Sequence, residues 1–373
     1  MSNKPVIYCL SASFGHGHTT AAKNLAQYLA KEGVGSQVTH LDPCSEVAPK
    51  LSWILNKLYR FATIYTPFIW RRLYHVTENC NLSHLWFPGI KKIKQNLRDK
   101  VIVDLEQGNQ VVIISTYPIY AYWLQKIRRK YPDKIEVHTL ITDSLHINNT
   151  WLKAKQDSLL VTDKYTARRI NISKTRVDSL HVTGFPVSEK FFELTPLSGD
   201  APMASFDILF FANRSEKESL ALCEAIFSLN VDMPINLTMV LGENFKRLYK
   251  ACEAFKKEHP GKVKLKTWTK KVPELMSQHH LVLAKAGGAT VHEAIAAQCP
   301  MLVCDLVPGQ EEGNLELLER IGAGHLANTP MLLRLAVEEL LKDDAKAWRV
   351  MKQSLANYQA PKSVEVVTKL IQN

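Results

Sequence analysis

The chain has 373 residues, a formal net charge of +11, 46% hydrophobic residues and 22% charged residues. This composition is typical of a globular protein of about two domains and excludes an intrinsically disordered chain. No apolar run approaches the ~18–20 residues that span a bilayer, and the apolar run near the N-terminus is too short for a signal-peptide core.

The cysteine and histidine patterns exclude further classes. Seven Cys are scattered without a Cys-x-x-Cys pair, which argues against disulfides and a structural zinc site and favours a reducing cytoplasm. The 13 His show no metal-ligand spacing. We therefore expect no bound metal.

Short apolar runs alternate with helical patterns along the chain. The runs predict strands at residues 5–11, 37–41, 111–115, 137–142, 158–161, 207–212, 237–241, 263–266, 281–285 and 301–305. Helical patterns lie between them, at residues 19–32, 216–229, 245–257, 290–298, 311–321 and 331–357. This rhythm predicts an α/β fold of doubly wound parallel sheets.

A stretch rich in Pro, Gly and Ser interrupts the rhythm at residues 194–202. We interpret it as a linker at 195–205 between domains at 1–194 and 206–373, with a C-terminal helix able to pack back on the first domain. The charge changes at the same place: residues 1–195 carry 26 Lys and Arg against 15 Asp and Glu, whereas residues 196–373 carry 21 of each. Two Rossmann-like halves predict a ligand cleft between them.

The loop after the first strand contains Gly15, Gly17 and His18 and opens a helix. Thr19 or Thr20 could cap that helix. His18 would then face the cleft as a neutral imidazole, able to accept a proton. The alternative is a plain strand–helix turn with a solvent-facing His.

A second strand–turn–helix pattern contains Gly287, Gly288, Thr290 and Glu293. Backbone amides at such a helix start can bind a diphosphate, and Glu293 could hold a ribose diol. The alternative is a capping box of Thr290 and Glu293, which needs no ligand.

The next strand ends in a loop with Gln310, Glu311 and Asn314, at the same edge of the predicted sheet. These side chains supply the paired donors and acceptors that sugars require. An acidic helix N-terminus that complements the helix dipole is the alternative. Two adjacent loops of this kind favour a sugar-nucleotide site.

The two loops resemble the donor site of the monogalactosyldiacylglycerol synthase and processive diacylglycerol glucosyltransferase family, relatives of the peptidoglycan glucosaminyltransferase. The run Pro-Gly-Gln-Glu-x-Gly-Asn at 308–314 is the most specific match. Further matches follow the same order over nearly the whole chain, at residues 15–22, 142–143, 151, 162–163, 182–187 and 191.

The resemblance implies a GT-B fold and inverting transfer of a sugar from a UDP-sugar without a bound metal. It implies that Glu293 holds the ribose, that the donor sugar meets Gln310 and Glu311, and that His18 is the base, with Asp143 near the acceptor. The remaining donor-binding residues that it implies are Gly287, Gly288, Thr290, Asn314 and Gly17; Arg214 is a further candidate from this chain's own sequence.

Two positions depart from the family pattern. Relatives usually have a Gly-rich loop at 212–215, whereas this chain has no glycine there and Arg214 could supply charge instead. Relatives also tend to have a His where this chain has Asn148. The acceptor side, and the acceptor, could therefore differ.

Residues 50–100 form a basic aromatic segment, with ten Lys or Arg against two acidic residues and nine aromatic residues. Apolar positions recur there at helical spacing, namely Leu51, Ile54, Leu55, Leu58, Phe61, Ala62 and Tyr65. Basic amphipathic helices with Trp and Tyr lie in membrane interfaces. We expect docking on an anionic membrane surface; the alternatives are a core-packing helix and a nucleic-acid contact, for which the usual motifs are absent.

The sequence thus predicts an enzyme that moves a hexosyl group from a UDP-sugar to a lipid, with diacylglycerol as the expected acceptor. It would be cytoplasmic and peripherally bound to the inner face of the cell membrane. The alternatives are another lipid or polyprenyl acceptor, a UDP-sugar epimerase, and a membrane-binding relative that has lost catalysis. The donor sugar is not fixed by the sequence.

Overall fold

The computed structural model describes residues 4–13, 15–66, 69–72, 74, 76, 89–170, 175–200, 202–242 and 245–372. In the basic aromatic segment, Phe68, Trp86 and Phe87 lie outside the described residues, as do the side chains of Arg60 and Tyr65. Within the described ranges, no helix has the length and apolar character needed to cross a membrane.

The chain divides into two compact units. Unit 1 comprises Met1–Val187, Val307–Gly313 and Pro361–Asn373, and unit 2 comprises Ser188–Leu306 and Asn314–Ala360. The first boundary therefore precedes the interpreted linker at 195–205. Unit 1 also takes in two later segments, one of which contains the C-terminal helix.

Unit 1 is built on a six-stranded parallel sheet with strand order β2-β1-β3-β4-β5-β6. Its strands are β1 (Val6–Leu10), β2 (Gln37–Leu41), β3 (Val111–Ser115), β4 (Ile135–Leu140), β5 (Gln156–Val161) and β6 (Val177–Val182). Its helices are α1 (His16–Lys31), α2 (Pro43–Val47), α3 (Pro49–Tyr65), α4 (Ile90–Glu106), α5 (Ile119–Lys130), α6 (Lys164–Arg169) and the C-terminal α14 (Ser363–Gln372).

Both faces of this sheet are covered, because alternate residues of a strand point to opposite faces. On β1, Val6, Tyr8 and Leu10 pack with α4 and α5. Ile7 and Cys9 pack on the other face with α1 and with Val364 and Val367 of α14. The carboxyl ends of the strands therefore form the open edge of the sheet, where loops carry the candidate site.

Unit 2 repeats this arrangement with a second six-stranded parallel sheet of order β12-β11-β10-β7-β8-β9. Its strands are β7 (Phe206–Phe211), β8 (Ile235–Val240), β9 (Val263–Lys266), β10 (Leu281–Lys285), β11 (Met301–Asp305) and β12 (Gly324–Leu326). Its helices are α7 (Lys190–Glu193), α8 (Glu216–Phe227), α9 (Phe245–Glu258), α10 (Val272–Gln278), α11 (Gly288–Ala296), α12 (Glu312–Arg320), which begins in the unit 1 loop, and α13 (Pro330–Asn357).

The core of unit 2 joins β7 and β8 to α8, α9 and α13, with Phe206, Phe210 and Trp348 among its largest side chains. Helix α13 is interrupted at Lys342–Ala345, where three consecutive residues adopt left-handed φ angles. The α/β class with doubly wound parallel sheets, predicted from the alternating pattern, is confirmed.

Candidate functional site

Helix α1 starts earlier than the sequence suggested. It begins at His16, and its N-cap is Gly15 with a φ of 88° and no side-chain cap. The prediction that Thr19 or Thr20 caps this helix was therefore wrong, because both lie inside its first turns. Gly17 is the second helical residue, so its amide is among those with no acceptor within the helix.

His18 lies on the first turn of α1 and is buried. Its Nδ1 is 2.9 Å from the Thr142 hydroxyl, and its ring packs near Tyr117 and Trp151, with centroid distances of 5.4 and 6.1 Å. Burial lowers the pKa of the imidazole to about 4. The ring is therefore neutral at pH 7, and when Nδ1–H donates to Thr142, Nε2 carries the free lone pair.

Thr142 is a site residue that the sequence reasoning missed. The resemblance placed Asp143 near the acceptor, and the contact to His18 Nδ1 comes from the hydroxyl of the preceding residue, Thr142. Asp143 is itself buried just after β4. The signals available in the sequence were that both residues follow the same strand and that residues 142–143 match the family pattern.

Asn148, which stands where relatives tend to have a His, has a local structural role. Its Oδ1 accepts a hydrogen bond from the Thr150 amide at 3.0 Å, and its Nδ2 donates to the Tyr74 carbonyl at 3.2 Å. This caps the short 3₁₀ turn Asn149–Trp151. The turn places Trp151 against His18, so Asn148 supports the site from outside it.

The Gly-Gly turn of unit 2 leads directly into α11. Gly287 is the N-cap and has no side-chain cap, so Thr290 is the third helical residue. The capping-box alternative is therefore wrong, and Glu293 lies beyond the first turn. The amides of Gly288 and Thr290 belong to the first turn, where a helix offers N–H groups to an anion.

Glu293 is half-buried on the second turn of α11. Burial raises the pKa of its carboxyl to about 7. Within the described part of the chain the carboxylate makes no hydrogen bond or ion pair that would lower this pKa. A carboxylate with these properties gains most from hydroxyl donors of a ligand.

The 307–313 loop follows β11 and belongs to unit 1. Glu311 is buried, and its Oε2 accepts a hydrogen bond from the Val307 amide at 2.8 Å, which closes the loop. Gly309 has a φ of 84°, a left-handed conformation that favours glycine. At Gly313, an added Cβ would lie 2.0 Å from the Ser144 carbonyl oxygen. The glycines of this motif are thus explained by backbone geometry.

The other two polar residues of this motif differ in their surroundings. Asn314, fully buried in unit 2, donates from Nδ2 to the Ala286 carbonyl at 3.0 Å and so ties the start of α12 to the turn before Gly287. Gln310 is half-buried, and its Oε1 accepts a hydrogen bond from the Tyr59 hydroxyl at 3.3 Å. Tyr59 was not expected at the site.

Arg214 lies just beyond the carboxyl end of β7. Its Nη1 donates to the Asn328 carbonyl at 3.0 Å, and its Nε is 3.9 Å from Asp305 Oδ1. The next residue, Ser215, forms a capping box with Glu218 at the start of α8. The glycine-free loop is thus held by the helix cap at Ser215 and by the contact of Arg214 with Asp305 at the end of β11.

Several solved structures share this architecture. A structure of MurG from Acinetobacter baumannii has a TM-score of 0.62 and 15% identity, covering 99% of each chain. A structure of Arabidopsis thaliana UGT89C1 complexed with UDP-L-rhamnose has a TM-score of 0.63 and 14% identity, also covering 99% of each chain. The shared architecture is the GT-B fold, as the sequence predicted.

Sequence comparisons agree with the fold. Residues 18–187 match the family model described as monogalactosyldiacylglycerol (MGDG) synthase. The chain is a glycosyltransferase of the GT-B fold. Among its relatives is a processive diacylglycerol beta-glucosyltransferase of Bacillus subtilis (strain 168), 25% identical over 377 residues, covering 98% of this chain and 94% of that protein.

A second relative with the same name, from Bacillus licheniformis, is 25% identical over 380 residues with the same coverage. The resemblance to this family, first indicated by the loop motifs, is therefore confirmed over nearly the whole chain.

Proposed function

We propose that this glycosyltransferase moves a hexosyl group from a UDP-sugar to the hydroxyl of diacylglycerol, with inversion at the anomeric carbon. The observation that carries the proposal is the similarity, over 98% of the chain, to proteins named processive diacylglycerol beta-glucosyltransferase. The geometry of the candidate residues supports it on both the donor and the acceptor side.

Unit 2 supplies groups that suit a nucleoside diphosphate. The first-turn amides of α11, from Gly288 to Thr290, would stabilise the diphosphate as it leaves. Glu293 would accept hydrogen bonds from the ribose hydroxyls, and Gln310, from the unit 1 loop, would meet the donor sugar. We propose that these groups act without a metal; the expectation that none takes part stays a prediction.

Unit 1 supplies the base. In the proposed reaction the acceptor hydroxyl oxygen bonds to the anomeric carbon while the bond from that carbon to the diphosphate oxygen breaks. UDP leaves with the electron pair, and the hydroxyl proton moves to His18 Nε2. Thr142 orients the ring through its contact with Nδ1, and its hydroxyl accepts from Nδ1–H in the tautomer that leaves Nε2 as the base.

Helix α3 supports docking on a lipid surface. Trp53 and Phe61, two turns apart on one face, are 59% and 57% exposed, and Ile54 and Leu58 beside them are also exposed. The Lys57 ammonium lies 4.0 Å from the centre of the Trp53 ring. A helix face with exposed apolar side chains, and with Lys and Trp at its margin, is typical of interfacial helices.

A basic cluster on α4 and α5 adds to this. Lys94 and Arg98 lie one turn apart, and Arg98 Nε donates to the Trp123 carbonyl at 3.1 Å, one turn before Lys126. Burial and the nearby charges of Arg98 and Lys126 lower the pKa of Lys94. Each basic residue near an anionic surface contributes about 1 kcal/mol. We therefore propose a cytoplasmic enzyme bound peripherally to the inner face of the cell membrane.

The proposal is tested by incubating the protein with a panel of radiolabelled UDP-sugars and a bacterial lipid extract, and identifying the labelled lipids. We expect one UDP-sugar to label a diacylglycerol glycolipid. A labelled polyprenyl lipid would show that the acceptor is a polyprenyl lipid and not diacylglycerol. A new UDP-sugar epimer without labelled lipid would contradict the assignment as a transferase. As a variant control, His18→Ala should lose most turnover while its affinity for the UDP-sugar is unchanged.

A further inference from the structure

Tyr59 lies on α3, and its side chain is half-buried rather than part of the exposed apolar face. Its hydroxyl donates to Gln310 Oε1 at 3.3 Å across 251 residues of sequence. The edge of its ring packs against Trp70 at a centroid distance of 5.1 Å. Tyr59 also approaches the first loop, because its Cε1 lies 3.9 Å from the Cβ position of Gly15.

The loop that carries Gln310 is held at two further points within unit 1. Gly313 lies against the backbone of Ser144 and His146. Arg71 Nη2 is 3.8 Å from Glu312 Oε1, a partly exposed pair that contributes little by itself. These contacts fix the loop backbone, whereas the Gln310 side chain is fixed through its contact with Tyr59.

A hydrogen bond to Oε1 also decides which way the amide of Gln310 faces. With its oxygen accepting from Tyr59, the Nε2 group must point elsewhere and offers two N–H donors. A sugar hydroxyl is an acceptor for such donors. Without the Tyr59 hydroxyl, the amide could flip and present its oxygen to the same hydroxyl.

We propose that Tyr59 is a positioning residue for the donor sugar, which acts by fixing the amide orientation of Gln310. The inference rests on the proposed function, because it assigns Gln310 to the sugar of a UDP-sugar. It predicts that the Tyr59 hydroxyl affects recognition of the sugar and leaves recognition of UDP unchanged.

Tyr59→Phe removes the hydroxyl and keeps the ring that packs on Trp70. We expect KM for the UDP-sugar to rise about two- to tenfold, the range for one neutral hydrogen bond, with the Kd of UDP alone unchanged. Tyr249→Phe, which removes an exposed hydroxyl from α9 of unit 2, is the matched control and should change neither value. An unchanged KM in Tyr59→Phe, or an equal loss of UDP affinity, would overturn the inference.

A double-mutant cycle isolates the pair. In a Gln310→Ala background, Tyr59→Phe should have no further effect on KM, because the amide that it orients is gone. A full additional effect in that background would show that Tyr59 acts independently of Gln310 and would also overturn the inference.

The two proposals fail in different ways. If the wild-type protein binds and transfers no UDP-sugar, the proposed function fails and this inference fails with it. If the wild-type protein transfers the sugar and Tyr59→Phe behaves identically, the assignment of Tyr59 alone is wrong.

Discussion

Burial sets the protonation of two candidate site residues in opposite ways. It lowers the pKa of His18 to about 4 and raises the pKa of Glu293 to about 7. At neutral pH the imidazole is thus fully neutral and ready to accept a proton, whereas the carboxyl of Glu293 is near its midpoint. Small changes of pH around neutrality therefore act on donor binding before they act on the base.

This difference predicts the pH dependence of UDP binding. An ionised Glu293 accepts hydrogen bonds from both ribose hydroxyls, whereas its protonated form keeps less acceptor capacity. The ionised fraction of Glu293 increases with pH around its pKa of about 7. UDP affinity should therefore rise with pH, most steeply near 7, and then level off. Calorimetry between pH 5.5 and 8.5 measures this.

The variant Glu293→Gln should bind UDP more weakly at pH 8 and show no such rise. Glu258→Gln, an exposed carboxyl on α9, is the control and should keep the wild-type curve. A wild-type affinity that is flat across pH 7 would contradict the assignment of Glu293 to the ribose.

Residue roles that depend on distant contacts were beyond the sequence. The motifs located His18, Glu293 and Gln310, because each follows a strand in a recognisable loop. Thr142 and Tyr59 act through hydrogen bonds that span 124 and 251 residues of sequence. Thr142 lies in the family match at 142–143, which does not connect it to His18, and Tyr59 has no local pattern that marks it as part of a site.

At the scale of elements, the buried strands were predictable and two edge strands were not. Strands β2, β3, β9, β10 and β11 have the predicted bounds, and two of them, β2 and β9, are edge strands. The missed strands, β6 and β12, are also edge strands and carry polar or small residues, such as Asp178 and Ser179 of β6. A strand paired on one side needs less apolar surface, so with such residues its pattern is weak.

The first residue of a helix was also less predictable than the presence of the helix. The sequence offered a capping box at Thr290 and Glu293 as an alternative reading, whereas the capping box lies at Ser215 and Glu218. The pattern of a capping box occurs at both places. The Gly-Gly turn starts α11 two residues before Thr290. Thr290 therefore lies inside the helix and cannot be the N-cap of a capping box.

Helix α3 carries the element-scale prediction. Replacing Trp53 and Phe61 by Ser removes two exposed apolar side chains, each worth about 1.5–3 kcal/mol on full burial in lipid. We expect the double variant to lose at least tenfold in binding to anionic vesicles by sedimentation, with the fold intact by circular dichroism.

Trp268 offers a matched control for this variant. It is 63% exposed and also lies near a lysine, with the Lys270 ammonium 5.9 Å from its ring centre, but it belongs to unit 2. Trp268→Ser should leave vesicle binding unchanged. Equal binding of the wild-type protein to neutral and anionic vesicles would contradict the role of the basic residues.

At the scale of the whole molecule, the order of segments along the chain does not show which unit each segment belongs to. Composition predicted two α/β halves and placed the excess charge in the first of them. Residues 307–313 lie between β11 and β12 of unit 2, and residues 361–373 follow all its strands, yet both segments belong to unit 1. The sequence analysis allowed the C-terminal helix to pack back on the first domain, where Val364 and Val367 pack beside β1. The return of residues 307–313 has no local pattern, because it depends on tertiary packing.

The central claim is inverting transfer of a sugar from a UDP-sugar to a lipid hydroxyl. It is tested most directly by the anomeric configuration of the product lipid, made from the UDP-sugar that the panel selects and vesicles containing diacylglycerol. Because the sugar is α-linked in the donor, proton NMR should show a β-linked glycolipid formed in equal amount with UDP. An α-linked lipid, or free sugar without glycolipid, would contradict the account.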